Sequence, residues 1–215
     1  MPFDFLKRKK SPEKTDRPEV PAAGKPVNGV AFDGLTEDWR LVGRMMVDGR
    51  LSDILNRREP ITISEVNWAP VDGSGPLAPA PGLKSVDPYD LVIVIAGNDS
   101  LPEMKDEERA AHRVHKVSYE VAIEVPPYRV VGTIYLHPGS EPDSLLQRSS
   151  EMFIPVVKAV ALLADQPVGK ATNDAILVNR QYIRGVEQVD ARTGERHEKL
   201  PGSSMGGVNW SDRAR

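Results

Sequence analysis

Two stretches decide how this chain is read: residues 39–63, WRLVGRMMVDGRLSDILNRREPITI, and residues 128–154, YRVVGTIYLHPGSEPDSLLQRSSEMFI. Set Trp39 against Tyr128, and the pairs Arg40/Arg129, Leu41/Val130, Val42/Val131, Gly43/Gly132, Met45/Ile134 and Val47/Leu136 follow at constant spacing. Ile54, Leu55, Asn56 and Arg57 then match Leu145, Leu146, Gln147 and Arg148, and Ile61 and Ile63 fall on Met152 and Ile154. Blocks that keep order and near-register in this way mark an internal duplication, one supersecondary unit used twice.

Each copy has the grammar of strands. Tyr119, Val121, Ile123 and Val125 alternate with Glu120, Ala122 and Glu124, the period of a half-buried strand. Pro126-Pro127 interrupts the run, and residues 128–136 supply the second strand of a hairpin. The stretch GSEPDSLLQR reads as a turn followed by one or two helical turns. Residues 152–163 read as a third strand, in which Pro155 points to an edge or a bulge because it cannot donate to a ladder. Ile176, Leu177 and Val178 begin a fourth strand, and residues 182–189 a fifth. The first copy repeats the plan over 27–32, 39–47, the helical LSDILNR, 61–68 and 91–95. Its last two strands are separated by APVDGSGPLAPAPGLKSVDPYD, a loop long enough to be functional or disordered. Between the copies, Ser100 and Glu103 have capping-box spacing and predict a helix near 102–113.

The expected organisation is a disordered basic, proline-rich tail over 1–26, a β module over 27–99, a linking helix over 100–115, a second β module over 116–189 and a disordered tail over 190–215. In fold-class terms this is mainly β with minor α: tandem duplicated small β-barrel modules with short helices.

YRVVGTIYL (128–136) and YIRGVEQV (182–189) resemble the two apolar signatures of Sm-like barrels, the small SH3-like β-barrel class. Gly132 matches the glycine that lets strand two bend, Gly43 does so in the first copy, and Arg184-Gly185 match the segment opening the last tight turn. The first copy departs from the pattern, with Ala96-Gly97 after its last strand. The resemblance implies an RNA-reading site in which an Asp and an Asn follow strand two. Asp53 and Asn56, with Arg184 and Gly185, are the positions that would carry it here, while the second copy has Asp143 and Gln147. The pattern also resembles an internally duplicated bacterial family of unknown function.

Charge weighs against nucleic acid. Residues 1–26 carry a net +3 and residues 191–215 a net +2, so the whole-chain value of -3 leaves -8 on 27–190. A phosphate backbone requires a basic surface, and the expected body is acidic. Nucleic acid is therefore the less favoured partner. There are no cysteines, which excludes disulfides, thiolate metal sites and cysteine nucleophiles and fits a reducing cytoplasm. No run of about 18 apolar residues is present, so no transmembrane helix is expected.

Candidate chemistry is sparse. His112 and His115 stand one helical turn apart, but spacing supplies no third ligand, so no metal or cofactor is assigned. No phosphate-cradling glycine spacing occurs, His137 has no evident nucleophile, and no catalytic residue is assigned. The paired arginines Arg40/Arg129 and Arg57/Arg148 read as inherited ion pairs. The tails carry the binding candidates. Phe3, Phe5 and Leu6 beside Lys7, Arg8, Lys9 and Lys10 form a short amphipathic anchor for a partner protein or an anionic membrane face, and Trp210 is a second short-motif candidate. The sequence thus points to a non-enzymatic interaction or scaffolding protein with an unknown protein partner. It would self-associate through exposed barrel edges and reside in the cytoplasm or at the inner face of the membrane. RNA binding, or a ligand or catalytic site between the copies, are the competing readings.

Overall fold

In a computed structural model of the chain, the described residues are 28–96, 116–146, 151–169 and 173–190. The expected tail over 1–26, the expected tail over 190–215 apart from Asp190, and the expected linking helix lie outside them. The described structure is mainly β, as the alternating apolar runs require, and every strand pairing is antiparallel.

The first half opens with a hairpin of β1 (Asn28–Leu35) and β2 (Trp39–Val47). Helix α1 (Leu51–Asn56) follows and buries Leu51, Ile54 and Leu55, the i, i+3, i+4 stripe of an amphipathic turn. Then come β3 (Ile61–Pro70), β4 (Ala78–Pro79), β5 (Ser85–Val86), a 3-10 turn at Pro88–Asp90 and β6 (Ile93–Ala96). The second half repeats the order with β7 (Val117–Val125), β8 (Tyr128–Leu136), a 3-10 turn at Pro142–Leu146, β9 (Phe153–Leu163), β10 (Gln166–Pro167), β11 (Asn173–Asn179), a 3-10 turn at Arg180–Tyr182 and β12 (Gly185–Gln188). The proline-rich stretch between β3 and β6, expected to be loop, thus holds two short strands and a 3-10 turn.

Pairing follows the same scheme in each half. β6 lies on β1 as β12 lies on β7, and β4 and β5 lie on β3 as β10 and β11 lie on β9. The long ladders share an irregularity too. Register shifts between Val42 and Arg44 in one and between Val131 and Thr133 in the other, with Glu65 and Lys158 opposite at positive φ of 53° and 49°. Gly43 and Gly132 sit at these bulges. A Cβ at Gly132 would lie 2.8 Å from the Ala159 Cβ, and one at Gly43 would lie 2.9 Å from the Ser64 carbonyl oxygen. The glycines are there because the next strand passes too close for any side chain. Arg44 pairs with Ser64 and Thr133 with Val157, which sets Ile61 and Ile63 against Ile154 and Val156. The sequence alignment of this strand is therefore two residues off, a slip that keeps the same face inward.

The hydrogen-bonded path runs β12-β7-β8-β9-β11-β6-β1-β2-β3-β4. It is one open antiparallel sheet passing through both halves, where two separately closed barrels were expected. The step that joins them is β11 on β6. Pro155 is consistent with this arrangement: β9 is an interior strand, but its β8 ladder ends at Val157, so the missing N–H costs no pairing with β8.

Two apolar clusters result, each borrowing from the other half. One gathers the β7–β9 side chains with Leu35, Val92, Ile93 and Ile95. The other gathers Phe32, Leu41, Met45 and the α1 residues with Met152, Phe153 and Leu177.

Candidate interaction surface

The joint between the halves is the best-built feature of the molecule. Along β6 and β11, Ile93 pairs with Val178, Val94 with Leu177, Ile95 with Ile176 and Ala96 with Ala175. Ile93, Ile95, Ile176 and Val178 face one cluster, while Val94 and Leu177 face the other, so both sides of these strands are buried. Such strands read as continuous apolar runs, which is what LVIVIA and AILV are.

Polar clips fix the joint. Asn179 is fully buried. Its amide donates to the Leu91 carbonyl at 2.8 Å and the Pro88 carbonyl at 3.3 Å, and its Oδ1 accepts from the Gln181 N–H at 3.0 Å. Its own N–H donates to the Val92 carbonyl at 2.9 Å. Every polar group of the residue that points across the joint is satisfied, as a buried amide requires. The Tyr128 hydroxyl donates to the Thr36 carbonyl at 2.6 Å, and that of Tyr182 donates to the Tyr89 carbonyl at 3.0 Å. Burial, with Asp38 and Asp33 nearby, pushes the Tyr128 phenol well above its ordinary range. Asp33 also pairs with Arg40 at 2.5 Å, and that hydrogen bond raises the guanidinium's affinity for its proton.

The two ends of the sheet contrast with this joint. β12 pairs with β7 and packs against the 3-10 turn at Pro142–Leu146, while β4 and β5 each pair with β3 alone among the described residues. Next to β4 stands an aromatic patch: Trp39, opposite Pro70, and Trp68, opposite Ala78, stack with ring centroids 4.6 Å apart, 39% and 40% exposed, and the adjoining Leu77 is exposed too. Between β3 and the loop before β5 lies a cleft of about 570 Å³ lined by Ile63, Val66, Pro79, Pro81 and Leu83. It occupies the place where, in the second half, β11 pairs along β9.

The sequence-derived candidates fall as follows. Phe3, Phe5, Leu6, Lys7, Arg8, Lys9, Lys10 and Trp210 lie outside the described residues, as do His112 and His115. Asp53 is exposed on α1. Asn56 is turned into the joint: its Oδ1 accepts the Met152 and Phe153 N–H groups at 2.7 and 2.8 Å. That occupies the atom a base-reading asparagine would need. Arg184 is exposed, its N–H donating to the Glu124 carbonyl at 2.8 Å, and Gly185 opens β12 opposite Glu124. Arg40, Arg57 and Arg129 sit in ion pairs with Asp33, Asp48 and Glu124.

His137 lines a depression of about 500 Å³ with Lys116, Ser140, Ser144 and Glu151. Among the described residues no three His, Asp or Glu side chains gather as a metal-ligand set, and no helix is long and apolar enough to cross a membrane. No protein-family model, curated protein or solved structure matches the chain.

Sequence reading missed Trp68, Leu77 and Asn179. Only Asn179 left a signal, an amide closing the apolar run AILV.

Proposed function

We propose that the protein is a non-enzymatic interaction and scaffolding factor built from two copies of one small barrel-like module. The shared element order, the twin bulges at Gly43 and Gly132 and the matched pairing scheme support the duplication. The body presents an open sheet end at β4 and β5, and the tail residues Phe3, Phe5, Leu6, Lys7–Lys10 and Trp210 recruit a protein partner or an anionic membrane face.

The observation that carries this reading is the exposed Trp39–Trp68 stack at an open sheet end, since stacked aromatics left half in water are the kind of anchor that interfaces bury. RNA binding is weakened by the engagement of Asn56 with the Met152 and Phe153 backbone.

The test is affinity capture from native lysate with three full-length proteins: wild type, Trp39→Ala/Trp68→Ala, and a variant with Phe3, Phe5 and Lys7–Lys10 changed to Ala or Gln. Specific proteins or membrane retained by wild type and lost from one variant support scaffolding and say which surface recruits. RNA retained equally by all three would replace this reading with the RNA-binding one.

A further inference from the structure

We infer that the N-terminal segment 3–10, which lies outside the described residues, docks on its own chain, along the apolar surface that runs from the β3 cleft to the Trp39–Trp68 stack. The inference rests on the scaffolding reading for its choice of segment. It deepens that reading, because two recruiting surfaces then cover each other until a partner competes.

The surface is continuous. The cleft reaches Asn67 and Pro79, and the next rung of that ladder sets Trp68 opposite Ala78. Val66 and Trp68 stand two apart on β3, so their side chains share a face, about 6.6 Å from one to the next. Trp39 stacks on Trp68, and exposed Leu77 adjoins Ala78. Leu41, Ile63 and Val66 are buried in the first-half cluster, and the stack carries the same face out into water. Pro76, Pro79 and Pro81 strip the outer edge here of N–H donors, so a ligand is held by side chains and not as an added strand.

Charge selects the occupant and its direction. Lys84 stands at the Thr62 end of the cleft, where its carbonyl accepts the Ile63 N–H at 2.9 Å. At the Trp39 end the exposed charges are acidic. Glu37 and Asp38 precede Trp39, and the Val71 N–H donates to the Asp38 carbonyl at 2.9 Å, which brings Asp72 alongside. No Lys or Arg stands between Arg58 and Lys84 in the chain. A matching ligand is apolar at one end and cationic at the other, and FDFLKRKK has that order. Phe3 and Phe5 are two apart, so bound in extended form they turn both rings to one side at the spacing of Val66 and Trp68. Phe3 then enters the cleft, Phe5 lies on Trp68, and Lys7–Lys10 pass Trp39 toward Glu37, Asp38 and Asp72. The reverse direction would bring the cations onto Lys84. Reach is sufficient: β1 runs from Asn28 toward the Trp39 end over about 25 Å, and residues 11–27 span up to about 55 Å.

Tryptophan fluorescence of the full chain in a Trp210→Phe background reads Trp39 and Trp68 alone, with circular dichroism confirming that each variant is folded. Phe3→Ser/Phe5→Ser should shift the emission to longer wavelength and raise acrylamide quenching. A peptide of residues 1–12 should reverse both changes in that variant, and should bind the unmutated segment's chain about tenfold more weakly, because the chain's own segment competes. Changing Lys7, Arg8, Lys9 and Lys10 to Glu should act like the Phe variant, and adding Glu37→Lys/Asp38→Lys should restore protection. Asp72→Lys stands in if that pair fails to fold. Equal quenching with and without Phe3 and Phe5, or no rescue by reversed charges, would overturn the inference. So would protection that falls on dilution through the micromolar range, which gives the patch to a second copy's segment. None of these outcomes bears on what the full chain captures from lysate, so the scaffolding reading stands or falls separately.

Discussion

β6 and β11 meet inside the molecule, whereas their counterparts do not meet each other: β12 packs against the 3-10 turn at Pro142–Leu146, and β5 lies at the outer edge of β3. The backbone plan at the two places is the same, so the difference lies in side chains. At the joint, Ile95 meets Ile176 and Val94 meets Leu177. The counterpart positions hold Glu187 and Val186 on the four-residue β12, and Ser85 on the two-residue β5 with Lys84 just before it, after Pro81 and Gly82. Short, charged, proline-flanked edges are how sheets avoid indiscriminate pairing. One strand plan thus yields a buried seam or a charged, short edge according to whether its outer positions are apolar.

The largest effects should come from exchanging polar identities across this comparison. Asn179→Asp places a buried carboxylate against the Leu91 and Pro88 carbonyls, which cannot donate to it, and should cost about 3 kcal/mol at neutral pH. Denaturant titrations at falling pH should recover part of that loss as the carboxyl takes up a proton. The reverse change, Asp87→Asn, should move stability by only a few tenths of a kcal/mol, since asparagine caps a turn about as well as aspartate. Next, Ile176→Ala should cost about 2–3 kcal/mol by chemical denaturation, while its counterpart Lys84→Ala stays within about 0.5 kcal/mol. Equal losses at the two sites would erase the distinction between seam and edge.

A smaller and pH-marked effect belongs to Tyr128. Its phenol titrates higher in the folded protein than the ordinary 10.0. The stabilisation is therefore fully present below that value and is lost as pH rises through the folded one. Tyr128→Phe should cost about 1 kcal/mol at neutral pH, the worth of its bond to Thr36. It should also reduce the alkaline loss of stability in melts taken above pH 10. Trp39→Ala should lower the melting temperature less than Ile176→Ala, since its ring is 39% exposed and packs on one neighbour, Trp68. A drop as large as that of Ile176→Ala would mean that the stack belongs to the core.

The hairpins were legible because alternation fixes which side chains face inward and Pro126-Pro127 marks the turn. The seam was not. LVIVIA and AILV announce strands buried on both faces, yet periodicity does not name the strand that buries them. β4 and β5 hid among prolines because two-residue strands are set by the neighbour they meet. The slip of two residues in aligning β3 with β9 followed from matching side-chain character, which a two-residue shift preserves. Asn56 looked like a base reader because its partners, the Met152 and Phe153 N–H groups, lie nearly a hundred residues away in the chain. Trp39 aligns with Tyr128 in sequence, but only Tyr128 reaches the other half, through its bond to Thr36.

The seam also bears on how the chain is made. Ala96 pairs with Ala175, so β6 leaves the ribosome 79 residues before the strand that covers it. At about 5–20 residues per second, that interval is roughly 4–16 s. Throughout it, Ile93 and Ile95 have no second half to bury them, and the hairpin β1–β2 can shield only one edge of their strand. The nascent chain therefore carries its most aggregation-prone segment uncovered for most of the second half's synthesis. Slowing translation between residues 96 and 175 should lower soluble yield more than the same delay placed before residue 91.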